Sequence, residues 1–239
     1  NTDGFGSNTN IGTYPLSTFN NEIYTGTYRP SGNAQVWKSS NGTDWTQSNT
    51  DGFSDANNIE AYNGTTFNNY LYAVTGNSTT GTEVWRTNNG TDWTQVNTDG
   101  FGDANNEESN SNIVFDNEIY VGTYNANGGQ LWKSSNGTNW TQITGTGFLK
   151  ASNLTIYPLI LTNGYLYLGT DNLSGGEIWT SSDGATWTQD NTAGFGIANN
   201  ITTVPLVVFN NNIYTGTYNS VSGGQVWRSS VPSSSTSPT

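Results

Sequence analysis

The chain has 239 residues, with eighteen Asp and Glu against six Lys and Arg, a net charge of −12, and no cysteine, methionine or histidine. Without Cys or His it lacks the ligands of the usual zinc sites and any His-based general base or triad. The acidic balance argues against nucleic-acid binding, which sets clustered Lys and Arg against phosphate, and no apolar run approaches the ~20 residues of a membrane span.

From the N-terminus, 14–19 is a short apolar-leaning run followed by the turn pair Asn20-Asn21. Residues 22–28 then alternate with period two and are β-branched and aromatic, the pattern of a half-buried strand. Arg29-Pro-Ser-Gly-Asn33 breaks the run, 34–40 makes a third strand, Asn41-Gly42-Thr43 a tight turn and 44–48 a fourth strand. The loop 49–58 leads into the same pattern again, and no segment has helical periodicity.

Trp37, Trp85, Trp132, Trp179 and Trp227 mark the third strand of five copies, at spacings of 48, 47, 47 and 48 residues. Four short strands in each of five ~47-residue copies predict an all-β chain, a five-bladed β-propeller of four-stranded antiparallel blades. The repeats fall at about 1–48, 49–96, 97–143, 144–190 and 191–230, with a Ser/Thr/Pro-rich tail or linker at 231–239. The fifth copy stops after Trp227-Arg-Ser-Ser230, so the fifth blade is expected to lack its own outer strand. An unpaired third strand is a template for strand addition, by the tail or by a strand-donating neighbour. A chain without methionine is expected to be a processed piece of something longer.

The turn between third and fourth strands repeats as Ser39-Ser-Asn-Gly-Thr-Asp-Trp45, Thr87-Asn-Asn-Gly-Thr-Asp-Trp93, Ser134-Ser-Asn-Gly-Thr-Asn-Trp140 and Ser181-Ser-Asp-Gly-Ala-Thr-Trp187. It resembles the Asp-box hairpin of sialidase-type propellers, one residue short and with Asn for Asp in three of four copies. The resemblance implies a structural hairpin on the face away from the ligand. A short side chain closes the turn, Gly takes positive φ and the Trp plugs the sheet. In architecture and repeat length the chain resembles tachylectin-2-type lectin propellers, with no binding residue carried over. It is similar over all five copies to Gly-Phe-Gly-Asp…Val-Trp-Arg-Ser-Ser-Asp-Gly repeats of uncharacterised bacterial and archaeal surface proteins, which implies a cell-surface setting.

Columns shared by all copies are the candidates for function. Gly4/Gly52/Gly100/Gly147/Gly194 and Phe5/Phe53/Phe101/Phe148/Phe195 form one pair of columns. Asn10, Asn58, Asn106, Asn153 and Asn200 precede the innermost strands, and either close Asx-type turns or wall a pocket in each blade. Tyr24, Tyr72, Tyr120, Tyr167 and Tyr214 lie between blades, with an exposed edge as a sugar-stacking alternative. Asp51, Asp55, Asp99 and Asp103 offer oxygen donors for calcium, but the fourth and fifth copies carry Thr146, Lys150, Ala193 and Ile197 there, so no metal is required. N-glycosylation acceptors occur at Asn41, Asn63, Asn77, Asn89, Asn136, Asn139, Asn153, Asn172 and Asn200, consistent with an extracellular location.

Catalysis is not expected. A sialidase clamps its substrate with an arginine cluster, whereas Arg29, Arg86 and Arg228 occupy different radial positions. The innermost strands carry no acids, and Glu60, Glu107 and Glu108 at the channel mouth read as solvated rim charges. The expectation is an extracellular, non-enzymatic glycan-binding module needing no cofactor, on the face of the Asn-rich loops. The alternative is a structural or protein-binding element of a surface assembly.

Overall fold

The computed structural model describes residues 2–14, 17–143 and 150–230. Gly147, Phe148 and the tail at 231–239 lie outside the described residues. The chain divides into two compact units, 1–114 with 134–140, and 115–133 with 141–239.

Within the first unit, the first repeat runs through Ser17–Phe19, Glu22–Tyr28, Val36–Ser39 and Thr46–Gln47, each strand antiparallel to the next. The second repeat follows the same course through Glu60–Phe67, Tyr70–Gly76, Val84–Thr87 and Thr94–Gln95. In the second unit, the fourth repeat is the meander Asn153–Thr162, Tyr165–Asn172, Ile178–Ser181 and Thr188–Gln189. Among the described residues the fifth has three strands, Thr202–Phe209, Asn212–Tyr218 and Val226–Ser230.

The first hairpin of each repeat turns on two left-handed residues, as at Asn20 and Asn21 (φ 49° and 61°) or Asn68 and Asn69 (φ 48° and 62°). Asn tolerates this region, and such turns match the twist of paired strands. Successive repeats meet where the end of one second strand bridges the start of the next first strand. The bridges are Tyr28 with Glu60, Gly76 with Glu108, Tyr124 with Thr155, and Asp171 with Thr202.

The second strands carry the core. Tyr24, Tyr72, Tyr120 and Tyr167 are fully buried, beside Leu71, Ile119 and Leu166. The third-to-fourth strand hairpin of the following repeat packs on these tyrosines. A Cβ added at Gly90 would fall 2.1 Å from the Tyr24 hydroxyl, and one at Gly137 1.8 Å from that of Tyr72. In the second unit Gly184 meets Tyr120 in the same way, at 2.1 Å. These glycines have φ of 75°, 74° and 67°, so both the turn and the close approach require them.

Candidate functional site

Four of the loops before innermost strands hold an unusual turn. Gly4 and Phe5, Gly52 and Phe53, Gly100 and Phe101, and Gly194 and Phe195 all have φ between 54° and 61°. Glycine adopts this region freely, but for a bulky residue it is strained and needs local compensation. Two contacts supply it. Three of the rings stack on their repeat's third-strand tryptophan: Phe5 on Trp37 at 4.7 Å, Phe53 on Trp85 at 4.8 Å and Phe195 on Trp227 at 4.6 Å, with planes within 15°. The column asparagine then clamps the turn from inside. Its amide donates to the glycine carbonyl in Asn10–Gly4 (2.8 Å), Asn58–Gly52 (2.9 Å), Asn106–Gly100 (2.8 Å) and Asn200–Gly194 (3.0 Å).

The same amide reaches a Gln or Glu two residues before the stacked tryptophan. Asn10 donates to Gln35 at 2.9 Å, Asn58 to Glu83 at 2.7 Å, Asn153 to Glu177 at 3.0 Å and Asn200 to Gln225 at 3.0 Å. That Gln or Glu also accepts the indole N–H, as from Trp37 to Gln35 (3.1 Å) and from Trp85 to Glu83 (2.6 Å). The asparagine oxygen is taken by a second asparagine nineteen positions on, from Asn77 to Asn58 at 3.0 Å and from Asn172 to Asn153 at 2.7 Å. Turn, asparagine, glutamine or glutamate, tryptophan and phenylalanine thus form a closed circuit.

This placement favours the turn-closing alternative for the Asn column and the packing one for the Tyr column. Asn58, Asn106, Asn153 and Asn200 are fully buried and Asn10 nearly so. None of the grooves described below is lined by them. Tyr24, Tyr72, Tyr120 and Tyr167 are equally buried, and only Tyr214 is half-exposed. Four of the acceptor asparagines, Asn77, Asn153, Asn172 and Asn200, are buried too, so the folded repeat leaves no room for a glycan on them. Asn41, Asn89, Asn136 and Asn139 are exposed, and the side chain of Asn63 lies outside the described set.

The acidic loop residues also turn inward to local work. Asp51 accepts from Gln35 at 2.7 Å and from Gln47 at 2.8 Å, and these bonds with nearby Arg29 hold its carboxyl below the usual range. Asp99 accepts from Gln95 at 2.6 Å. Asp55 and Asp103 close their own turns onto Asn57 and Asn105, at 2.8 and 3.0 Å to the backbone N–H. Among the described residues no three carboxylates converge as a metal site would need.

What the circuit leaves open is a groove beside the stacked rings. In the first repeat Thr2, Phe5, Trp37, Thr43, Asp44 and Trp45 line an open volume of about 690 Å³. In the second, Thr50, Phe53, Ser54, Trp85, Thr91, Asp92 and Trp93 line one of about 750 Å³. The hairpin tryptophan forms the second wall, tilted 60° from Phe5 in one repeat and 76° from Phe53 in the other. Trp93 is held by its indole N–H donating to Ser48 Oγ at 3.0 Å. The third repeat keeps the same ring pair, Phe101 with Trp140 at 5.6 Å and 73°. Hairpin tryptophans expected only to plug the sheet therefore also wall a groove. The signal was present as three recurring aromatic columns, but their convergence needs the left-handed Phe.

A second cluster lies where repeats one, two and three bridge. Tyr14 donates to Glu60 at 2.5 Å, Tyr62 donates to Glu108 at 2.8 Å, and the two phenol rings lie 3.8 Å apart. Burial together with the Glu60 charge pushes Glu108 up to about 7. Burial and the same carboxylates raise both phenols well above their ordinary value, so they remain donors. Both glutamates are half-buried acceptors of tyrosine O–H groups, not the solvated rim charges expected. A Glu at the same place in neighbouring repeats is brought side by side by the bridging strands.

With this geometry in hand, three comparisons can be placed. The model of a family described as the DUF6242 beta propeller domain matches residues 98–237, which is 140 of the 239 residues. No curated protein matches significantly. Among solved structures, Trypanosoma rangeli sialidase in complex with sialic acid superposes with a TM-score of 0.55 at 12% identity, over 90% of this chain and 45% of that one. A glycosyl hydrolase from Bacteroides ovatus gives 0.48 at 15% identity, over 89% and 82% of the two chains. A GH43 endo-arabinanase from Bacillus licheniformis gives 0.46 at 12%, over 94% of each. The sialidase likeness is one of fold; this chain spans under half of that enzyme's length.

Proposed function

The chain belongs to the DUF6242 beta-propeller family, and from that premise we propose that it is a non-enzymatic, glycan-binding propeller of five blades acting outside the cell. The observation that carries the reading is the recurrence of one groove in successive repeats, with perpendicular aromatic walls and a rim of hydroxyls and one carboxylate. Flat apolar ring faces suit the C–H faces of a sugar, while Thr, Ser and Asp suit its hydroxyls. Repetition favours avidity from weak individual sites.

The test is a panel of immobilised glycans, with Trp45→Ala and Trp93→Ala as variants and thermal melting to check folding. Binding that falls about tenfold in each folded variant supports the groove; absence of binding to every glycan sinks the reading.

One observation favours the alternative of a protein-binding element at the fifth repeat. Val226 is 78% exposed, whereas its counterparts Val36, Val84 and Leu131 are fully buried. A small apolar cleft lies nearby, lined by Ile178, Phe195 and Trp227 among others. Sedimentation showing concentration-dependent association, lost in Val226→Asp, would favour that role.

A further inference from the structure

The two described grooves agree in a feature that narrows the ligand. Each has three aromatic rings and one charged lining group, the carboxylate of Asp44 or Asp92, and neither is lined by Lys or Arg. Each carboxylate is fixed in place by the hairpin asparagine, Asn41 donating to Asp44 and Asn89 to Asp92, both at 2.8 Å to Oδ2. A carboxylate accepts several further donors. The chain as a whole carries a net charge of −12, which draws cations and repels anions. At the same hairpin position the third and fourth repeats have Asn139 and Thr186, with no charge.

Resting on the glycan reading above, we propose that the grooves of the first and second repeats select sugars bearing a free, protonated amine, and that acidic glycans are rejected. The sugar ring lies against the tryptophan walls and its ammonium sits between an aromatic face and Asp44 or Asp92. Cation–π attraction and a charge-assisted hydrogen bond then act on one group. An N-acetylated sugar has neither, and a carboxylated or sulfated one meets the aspartate as a like charge.

Calorimetry near pH 6 with glucosamine oligomers, their N-acetylated counterparts and sialylated oligosaccharides tests this. The expected result is about tenfold tighter binding of the amine form, two strong sites per chain, and weakening by added salt. The double variant Asp44→Asn, Asp92→Asn keeps an acceptor for Asn41 and Asn89, and its preference should fall to within about twofold. Equal or tighter binding of the acetylated or acidic oligomers overturns the inference and leaves the glycan reading standing. So does a preference that survives the double variant, or displacement by tetramethylammonium as effective as by the oligomer. If no oligosaccharide of any class binds, both fall.

Discussion

Replacing Glu108 by Gln isolates the effect of its raised proton affinity. Glu108 is pushed up to about 7 in the folded chain, against an ordinary value of 4.5. Between these values the folded state holds a proton that the unfolded state has released, so stability falls as pH rises through that window and is level above it. At ~1.4 kcal/mol for each tenfold change in proton affinity the full difference is worth about 3 kcal/mol, and partial solvent access reduces this to about 1–2 kcal/mol. Gln at this position imitates the protonated acid and still accepts from Tyr62. The variant should match the parent near pH 4.5 and exceed its stability by that amount at pH 8. Urea unfolding at both values measures it, and the difference between proteins cancels other titrating groups such as Asp183, held down to about 2 by its hairpin N–H groups. A parent–variant gap that is the same at both pH values would refute the raised acid.

Four other outcomes are expected. Gly137→Ala should cost about 2–4 kcal/mol in chemical denaturation, since its Cβ meets the Tyr72 hydroxyl and its φ is 74°. Asn58→Ala should cost about 1–3 kcal/mol and shift tryptophan fluorescence, because it removes one partner each from the Gly52 carbonyl, Glu83 and Asn77. Asn41→Asp should lower the melting temperature through repulsion with Asp44, a loss that shrinks in high salt, whereas the same exchange at Asn136 faces Asn139 and should be milder. Chelation with EDTA should leave both melting and glycan binding unchanged, since Asp51, Asp55, Asp99 and Asp103 are engaged in turns.

Much of the fold is legible because period and alternation are local properties. The Trp37-to-Trp227 spacing, the Asn20-Asn21 turn and the alternation in Glu22–Tyr28 suffice to place the meanders. The site is less legible. A polar column such as Asn58 looks available for a ligand until its partners, six, nineteen and twenty-five positions away, are known. Gly-Phe reads as an ordinary turn, and nothing local marks the Phe as left-handed. Glu60 and Glu108 lie 48 residues apart, and only the bridging of successive repeats joins them. Aligning copies by register, Tyr14 on Tyr62 and Glu60 on Glu108, holds the clue to that pair.

The hairpin turns also bear on how this protein ages. Asn41-Gly42, Asn89-Gly90 and Asn136-Gly137 are the dipeptide most prone to spontaneous deamidation, which requires the glycine nitrogen to attack the asparagine side chain. Here the glycine N–H groups are bound to Ser39, Thr87 and Ser134 at 2.8–2.9 Å, and each asparagine oxygen is pinned by the following backbone N–H groups. The reaction must wait for the hairpin to open, so its rate at each site clocks local fraying. In the fourth repeat the position is already Asp183, which has no amide to lose.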